Sequence, residues 1–183
     1  MSGRVAVPAV VLVVAAAVVL GYWYSRSPES TQVKVGQLAP ELELYSIAAK
    51  SPTRLSTFRG SPVLLVMFMS GCRICEAEIW DIERLHRKYL QKGLRVIGVS
   101  VDPDRATRKA FLERHGITFI VLEDDAGRAV RAAYGSWKMP EAYLIDGQGR
   151  VDAVYLGSAD WLGEVRERVE KLLPPPPGDQ TRS

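Results

Sequence analysis

The chain has 183 residues, 47% of them hydrophobic and 25% charged, which suits one globular domain with an appendage left over. Its 24 basic residues stand against 21 acidic ones, and no long basic stripe is present. That balance excludes nucleic-acid binding as the leading function.

The appendage comes first. Residues 5–24 read VAVPAVVLVVAAAVVLGYWY, without a single charge. As a helix rising about 1.5 Å per residue they would reach ~30 Å, the thickness of a bilayer core. Pro8 falls in the first turn, where its missing N–H costs little, and Tyr22, Trp23 and Tyr24 stand where an interfacial aromatic belt belongs. The alternatives are a cleaved signal peptide and a buried core helix. Cleavage needs small residues after the apolar run, whereas LGYWYS is bulky, and no cysteine is placed for lipid attachment. The expectation is therefore an uncleaved, single-pass membrane anchor over residues 1–26. Charge barely orients it, because the amino terminus and Arg4 are matched by Arg26 and Lys34. The polar stretch 27–34 reads as a tether, and the PPPPGDQTRS tail, 174–183, as a solvated polyproline segment.

Residues 35–173 alternate in pattern. PVLLVMFM (62–69) and LRVIGVSV (94–101) are near-continuous apolar runs of strand length, as expected for strands covered on both faces. Between them Ile79, Ile82, Leu85 and Tyr89 recur at helical spacing, which predicts an amphipathic helix over 73–91, stopped by Gly93. Asp102 reads as an N-cap with Pro103 at the first helical position, opening a helix through Ala106, Ala110, Phe111 and Leu112 to Gly116. FIVL (119–122) follows as a short buried strand, and 125–134 as another helix. AYLIDGQGRVDAVYLG reads as two strands about a glycine-containing turn. A closing helix is expected from about Asp160 to Leu173. This order argues for an α/β fold, a mixed sheet flanked by helices.

The chain's only two cysteines fall where the first of these strands meets the first helix, in MSGCRICEAEIW (69–80). Cys72 opens the helix and Cys75 lies one turn further in. Exposed N–H groups and the helix dipole favour a thiolate at Cys72, and Arg73 adds positive charge beside it. Cys72 is then the nucleophile that attacks a partner's disulfide, and Cys75 resolves the mixed disulfide from the same turn. Three rivals compete. Zinc wants four ligands, and His86 and His115 lie far along the chain without a second cluster. A purely structural bridge over so short a loop would restrain the unfolded chain little. Peroxidase chemistry is the third, but Met69 stands three residues before Cys72, where peroxiredoxins carry Thr or Ser.

Several stretches carry a family resemblance over roughly residues 34–173: VGQLAPELEL, LSTFRGSPVLLVMFMSGCRICEAE, VIGVSVDPDR, FLERHGITFIVLEDDAGRAVRAAYG and MPEAYLIDGQGRV. The chain resembles the membrane-anchored, TlpA-like thioredoxin-fold disulfide reductases, the redoxin group that includes the periplasmic reductases of cytochrome c maturation. The resemblance implies a thioredoxin-like sheet and a cis-proline at Pro140 facing the cysteine pair. It also implies that Met139 presents backbone to an extended substrate segment. From sequence alone Pro140 could be only a strand-edge proline, since cis X-Pro bonds are a small minority; the resemblance reverses that expectation. Glu78 matches an acidic residue that some members place three positions after the second cysteine. On helical geometry Glu78 shares a face with Cys75 and could exchange the resolving thiol's proton; a surface glutamate is the alternative. Glu141, after the proline, matches a family preference. Two departures bear on redox poise: the family's usual Trp before the first cysteine is Gly71 here, and its usual Pro before the second is Ile74. Val66 stands where thioredoxins keep a buried Asp, which leaves no proton acceptor beneath the pair.

Together these readings predict a thiol-disulfide oxidoreductase with catalytic Cys72, Cys75 and Glu78. Its substrate contacts are expected at Arg73, Met139, Pro140 and Glu141. No cofactor is expected beyond the Cys72–Cys75 disulfide, and no metal. The anchor and the single CxxC place the domain outside the cytoplasmic membrane, reducing protein disulfides and recharged by a membrane electron donor. The alternative is a non-catalytic module for partner capture or copper delivery. Copper carriers add His and Met ligands, and here Met67 and Met69 alternate within an apolar strand in a way that core packing explains.

Overall fold

The computed structural model describes residues 11, 14–17, 33–136 and 138–174. The chain divides into two units, Met1–Thr31 and Gln32–Ser183. In the first, residues 11 and 14–17 are helical. Among the described residues no helix is long and apolar enough to cross a membrane. The remainder of the expected span 5–24, the tether up to residue 32 and the tail from 175 lie outside the described residues.

The second unit is built on a seven-stranded sheet in the order β2-β1-β5-β4-β3-β6-β7. Its strands are β1 (Glu43–Ser46), β2 (Ser51–Arg54), β3 (Val63–Phe68), β4 (Arg95–Ser100), β5 (Ile120–Glu123), β6 (Glu141–Ile145) and β7 (Val151–Leu156). β3, β4 and β5 run parallel, whereas β6 lies antiparallel to β3, β7 to β6 and β1 to β5. The helices are α1 (Arg73–Tyr89), α2 (Arg105–His115), α3 (Arg128–Tyr134) and α4 (Arg166–Leu172).

The apolar runs of β3 and β4 are continuous because both faces are covered. Alternate residues point to opposite faces. Leu64, Val66 and Phe68 pack with Ile79, Ile82 and Leu85 of α1, Phe111 of α2 and Val169 of α4. Leu65, Met67, Ile97 and Val99 pack against Val130 and Tyr134 of α3 and against Leu42 and Leu55. α1 and α2 share a face because two successive parallel crossovers step across the sheet in one direction, and right-handed crossovers then stay on one side.

The sequence reading departs from the structure at three places. β1 and β2 form an edge hairpin that was not expected, since ELYS and SPTR are short, half-polar and carry no apolar alternation. Val33, inside the expected tether, is buried in the second core. Asp102 is not the cap of α2. The cap is Asp104, whose carboxylate accepts the Thr107 N–H at 2.7 Å and the Thr107 hydroxyl at 2.6 Å, and Pro103 precedes it. Both Asp102 and Asp104 satisfy the capping preference. The backbone starts the helix after the second, and the first turns inward to 3% exposure. The closing helix begins as a π turn, Trp161–Val165, capped by Asp160, which accepts the Gly163 N–H at 3.0 Å and the Glu164 N–H at 3.3 Å.

This topology locates the site. The chain moves from β3 to β4 to β5 in one direction and then returns to set β6 on the other side of β3. The carboxyl end of β3 is therefore where strand order reverses, the position at which open α/β sheets leave a crevice.

Candidate active site

β3 ends at Phe68, and three residues separate it from Cys72. Gly71 makes that turn at φ 74°, a left-handed conformation that a larger residue adopts only under strain. This is a local reason for glycine at this position. Cys72 is the N-cap of α1 at φ −80°, ψ 106°, and its sulfur accepts the Cys75 N–H at 3.2 Å. The sulfur thus occupies the place a Ser or Asp oxygen takes in an ordinary cap, facing the unpaired amides of the first turn. An anion there is stabilised by those donors and by the helix dipole.

Cys72 and Cys75 form a disulfide, with Cα atoms 5.2 Å apart. The two sulfurs are not equivalent. Cys75 is 2% exposed and packs in the core with Val66 and Ile79, whereas Cys72 is only partly buried. An incoming thiol or disulfide therefore meets Cys72 first. Val66 fills the space beneath the pair, and it offers no proton acceptor there.

The Met139–Pro140 peptide is cis, and the Met139 carbonyl oxygen lies 3.6 Å from Cys72 Sγ. Residues far apart in sequence meet here because β6 pairs with β3, Glu141 opposite Met67. The Met139 backbone precedes that ladder at its open end. Pro140 is held in place from the other side, its carbonyl accepting the Gly157 N–H at 2.9 Å beyond β7. Beside Cys72 in the chain, Met69 is 39% exposed, Ile74 is 43% exposed, and Arg73 is exposed.

The two glutamates of the sequence reading have distinct settings. Glu78 is half-buried one turn beyond Cys75, and both carboxylate oxygens are engaged: Oε2 accepts the Trp161 Nε1–H at 2.8 Å and Oε1 the Ala159 N–H at 3.2 Å. It ties α1 to the segment that starts the closing helix. Glu141 is 5% exposed within β6, and its carboxylate accepts the Tyr143 hydroxyl. Burial, then the Glu141 hydrogen bond, pushes the Tyr143 phenol upward, which keeps it a neutral donor. Sequence reasoning missed Asp102, whose carboxylate accepts the Ser70 N–H at 2.9 Å, two residues before Cys72. The only signal in the sequence is the pair of aspartates flanking Pro103, of which one suffices to cap α2.

Among the described residues no group of three or more His, Cys, Asp or Glu side chains converges as a metal site. Met67 is wholly buried in the core on the sheet face away from α1.

Comparison with known proteins agrees with this geometry. Residues 35–154 match the AhpC/TSA family. Thiol-disulfide oxidoreductase ResA of Geobacillus kaustophilus is 30% identical over 166 residues, covering 91% of this chain and 94% of that protein. The ResA of Geobacillus thermodenitrificans is 29% identical over 146 residues, covering 80% of this chain and 82% of that one. A solved structure described as a putative thiol:disulfide interchange protein DsbE from Chlorobium tepidum superposes with TM-score 0.67 at 28% identity, over 77% of this chain and 96% of that one. With its paired cysteines at the start of α1 and a match spanning most of its length, the chain belongs to the AhpC/TSA family and is a thiol-disulfide oxidoreductase of thioredoxin-like fold.

Proposed function

We propose that the protein reduces disulfides of protein substrates outside the cytoplasm, carried on a membrane anchor formed by residues 5–24 and recharged by a membrane electron donor. One observation carries the catalytic part: the accessible Cys72 sulfur caps α1 while lying 3.6 Å from the Met139 carbonyl oxygen, beside backbone that precedes the β6 ladder. An extended substrate segment laid along Met139 brings its disulfide to Cys72.

The exchange runs in two displacements. The Cys72 thiolate attacks one sulfur of the substrate disulfide; an S–S bond forms between enzyme and substrate, and the other substrate sulfur leaves as thiolate and takes a proton. Cys75, deprotonated, then attacks Cys72 Sγ, releasing the second substrate thiolate and closing the Cys72–Cys75 bond. Two electrons and two protons pass to the substrate, and the donor returns them to the enzyme. Arg73 favours the thiolate by charge, Met139 and Pro140 seat the substrate backbone, and Glu141 stiffens the first residue of β6. Glu78, one turn from Cys75, exchanges the resolving thiol's proton through the lone pairs left by its two hydrogen bonds. The uncharged segment 5–24 supports the anchored, extracytoplasmic placement, where a dedicated reductant is needed.

The test is a redox titration of the full-length chain against glutathione or dithiothreitol, following thiol modification by mass. A reversible two-electron couple is expected, with Cys75→Ser accumulating mixed disulfides through Cys72 and Cys72→Ser forming none. Stoichiometric metal binding without a reversible couple would refute the reading in favour of a carrier. A reporter fused at the carboxyl terminus that is active only in the cytoplasm would refute the placement.

A further inference from the structure

The carboxyl ends of β3, β4 and β5 are fastened together by a buried polar cluster that the exchange reaction itself does not use. At its centre is Arg108 of α2, 1% exposed. Its Nη2 donates to the Asp102 carbonyl and to Asp125 Oδ1, both at 2.8 Å; its Nη1 lies 2.7 Å from Glu123 Oε1, and its Nε donates to Ser100 Oγ at 3.2 Å. Ser100 is fully buried, and its hydroxyl donates to Asp102 Oδ2 at 2.8 Å. Asp102 then reaches across to β3, where Oδ1 accepts the Ser70 N–H. The β4 backbone supports the same join, since the Val101 N–H donates to the Phe68 carbonyl at 3.0 Å.

We propose that Asp102, held by Ser100 and Arg108, is the positioning residue for Cys72. The segment from Ser70 to Cys72 leaves the sheet without regular structure, and its glycine allows many backbone conformations. One of these places the Cys72 sulfur over the first-turn amides of α1 and near Met139. The Ser70 N–H bond to a carboxylate is charge-assisted, and the other carboxylate oxygen is held by the buried Ser100 hydroxyl, which Arg108 in turn engages. The bond therefore selects that conformation, and Cys72 acquires its capping geometry from a residue that touches neither sulfur nor substrate. The charged groups around the cluster are Arg108, Glu123, Asp125, the more exposed Arg105, 3.5 Å from Glu123, the α2 cap Asp104, which Arg108 attracts, and the buried Asp124, whose N–H donates to the Ser100 carbonyl at 3.0 Å.

The proposal rests on Cys72 being the nucleophile, and the experiment separates the two. The rate of Cys72 alkylation is measured against pH in the reduced full-length chain, in Asp102→Ala, in Asp102→Asn and in Ser100→Ala. Asp102→Ala should raise the pH midpoint by about half to one unit and slow alkylation at neutral pH roughly three- to tenfold, the scale of a lost cap. Asp102→Asn keeps an acceptor oxygen for the Ser70 N–H and should stay within about twofold of the parent. An unchanged midpoint in Asp102→Ala, or an Asp102→Asn as impaired as the alanine variant, overturns the proposal while leaving Cys72 the nucleophile. Should Asp102→Ala fail to fold, Ser100→Ala decides: a raised midpoint supports the positioning role and an unaltered one overturns it. A parent whose Cys72 reacts no faster than free cysteine overturns both readings.

Discussion

Glu78 ties α1 to the closing segment and, in the proposed mechanism, exchanges a proton with Cys75, and the two roles can be separated. Its carboxylate accepts from Trp161 Nε1 at 2.8 Å and from the Ala159 N–H at 3.2 Å, and Trp161 is 2% exposed. Glu78→Ala removes both acceptors. The indole N–H, having no route to water, then carries a desolvation cost of about 1–3 kcal/mol, while the half-buried Ala159 amide recovers part of its loss from solvent. The expected total is about 2–4 kcal/mol, equivalent to a fall in Tm of roughly 6–12 °C for a domain of this size. Glu78→Gln keeps one acceptor oxygen but turns its amide nitrogen toward the second donor, so about half that loss is expected. Urea unfolding followed by tryptophan fluorescence measures both variants. In parallel, a mixed disulfide on Cys72 is formed and its resolution by Cys75 timed against pH; Glu78→Gln should slow that resolution. An alanine variant within 0.5 kcal/mol of the parent, a margin close to the ordinary scatter for surface sites, would refute the strut. A resolution profile unmoved in Glu78→Gln would refute the proton exchange and leave Glu78 a structural tie alone.

Two further outcomes follow from the packing and the charges. A methyl group added at Gly98, in the middle of β4, would stand 2.7 Å from Phe119 Cε2 and 2.8 Å from Phe68 Cε1, so Gly98→Ala should destabilise by about 1–3 kcal/mol in urea unfolding. A variant as stable as the parent would mean the rings move aside freely. Glu83 is buried; burial alone would raise its carboxyl, but hydrogen bonds from the Thr118 side chain and backbone and from Arg87 outweigh it and hold the group below its ordinary 4.5. A depressed carboxylate contributes stability that is full above the unfolded value and is lost as pH falls through the folded one. The stability difference between the parent and Glu83→Gln should therefore be largest above pH 4.5 and shrink below it, as read from urea midpoints across pH. A difference independent of pH would refute the assignment.

Much of this protein is legible from local pattern. The apolar runs of β3 and β4, the helical spacing of Ile79, Ile82, Leu85 and Tyr89, and the glycine stops at Gly93 and Gly116 each follow from the burial or backbone demand of one element. The identity of the reactive pair is equally local, because a cysteine at a helix start and another one turn later mark a redox pair by spacing alone. What the sequence could not decide is which of two equivalent aspartates caps α2, that ELYS and SPTR pair at a sheet edge, and that both oxygens of Glu78 are taken by Trp161 and Ala159. Those depend on strand order, which brings Met139 to Cys72 and Asp102 to Ser70 across long stretches of chain. Periodicity within a segment records which face of that segment is buried; which other segment covers the face is settled only when the sheet assembles.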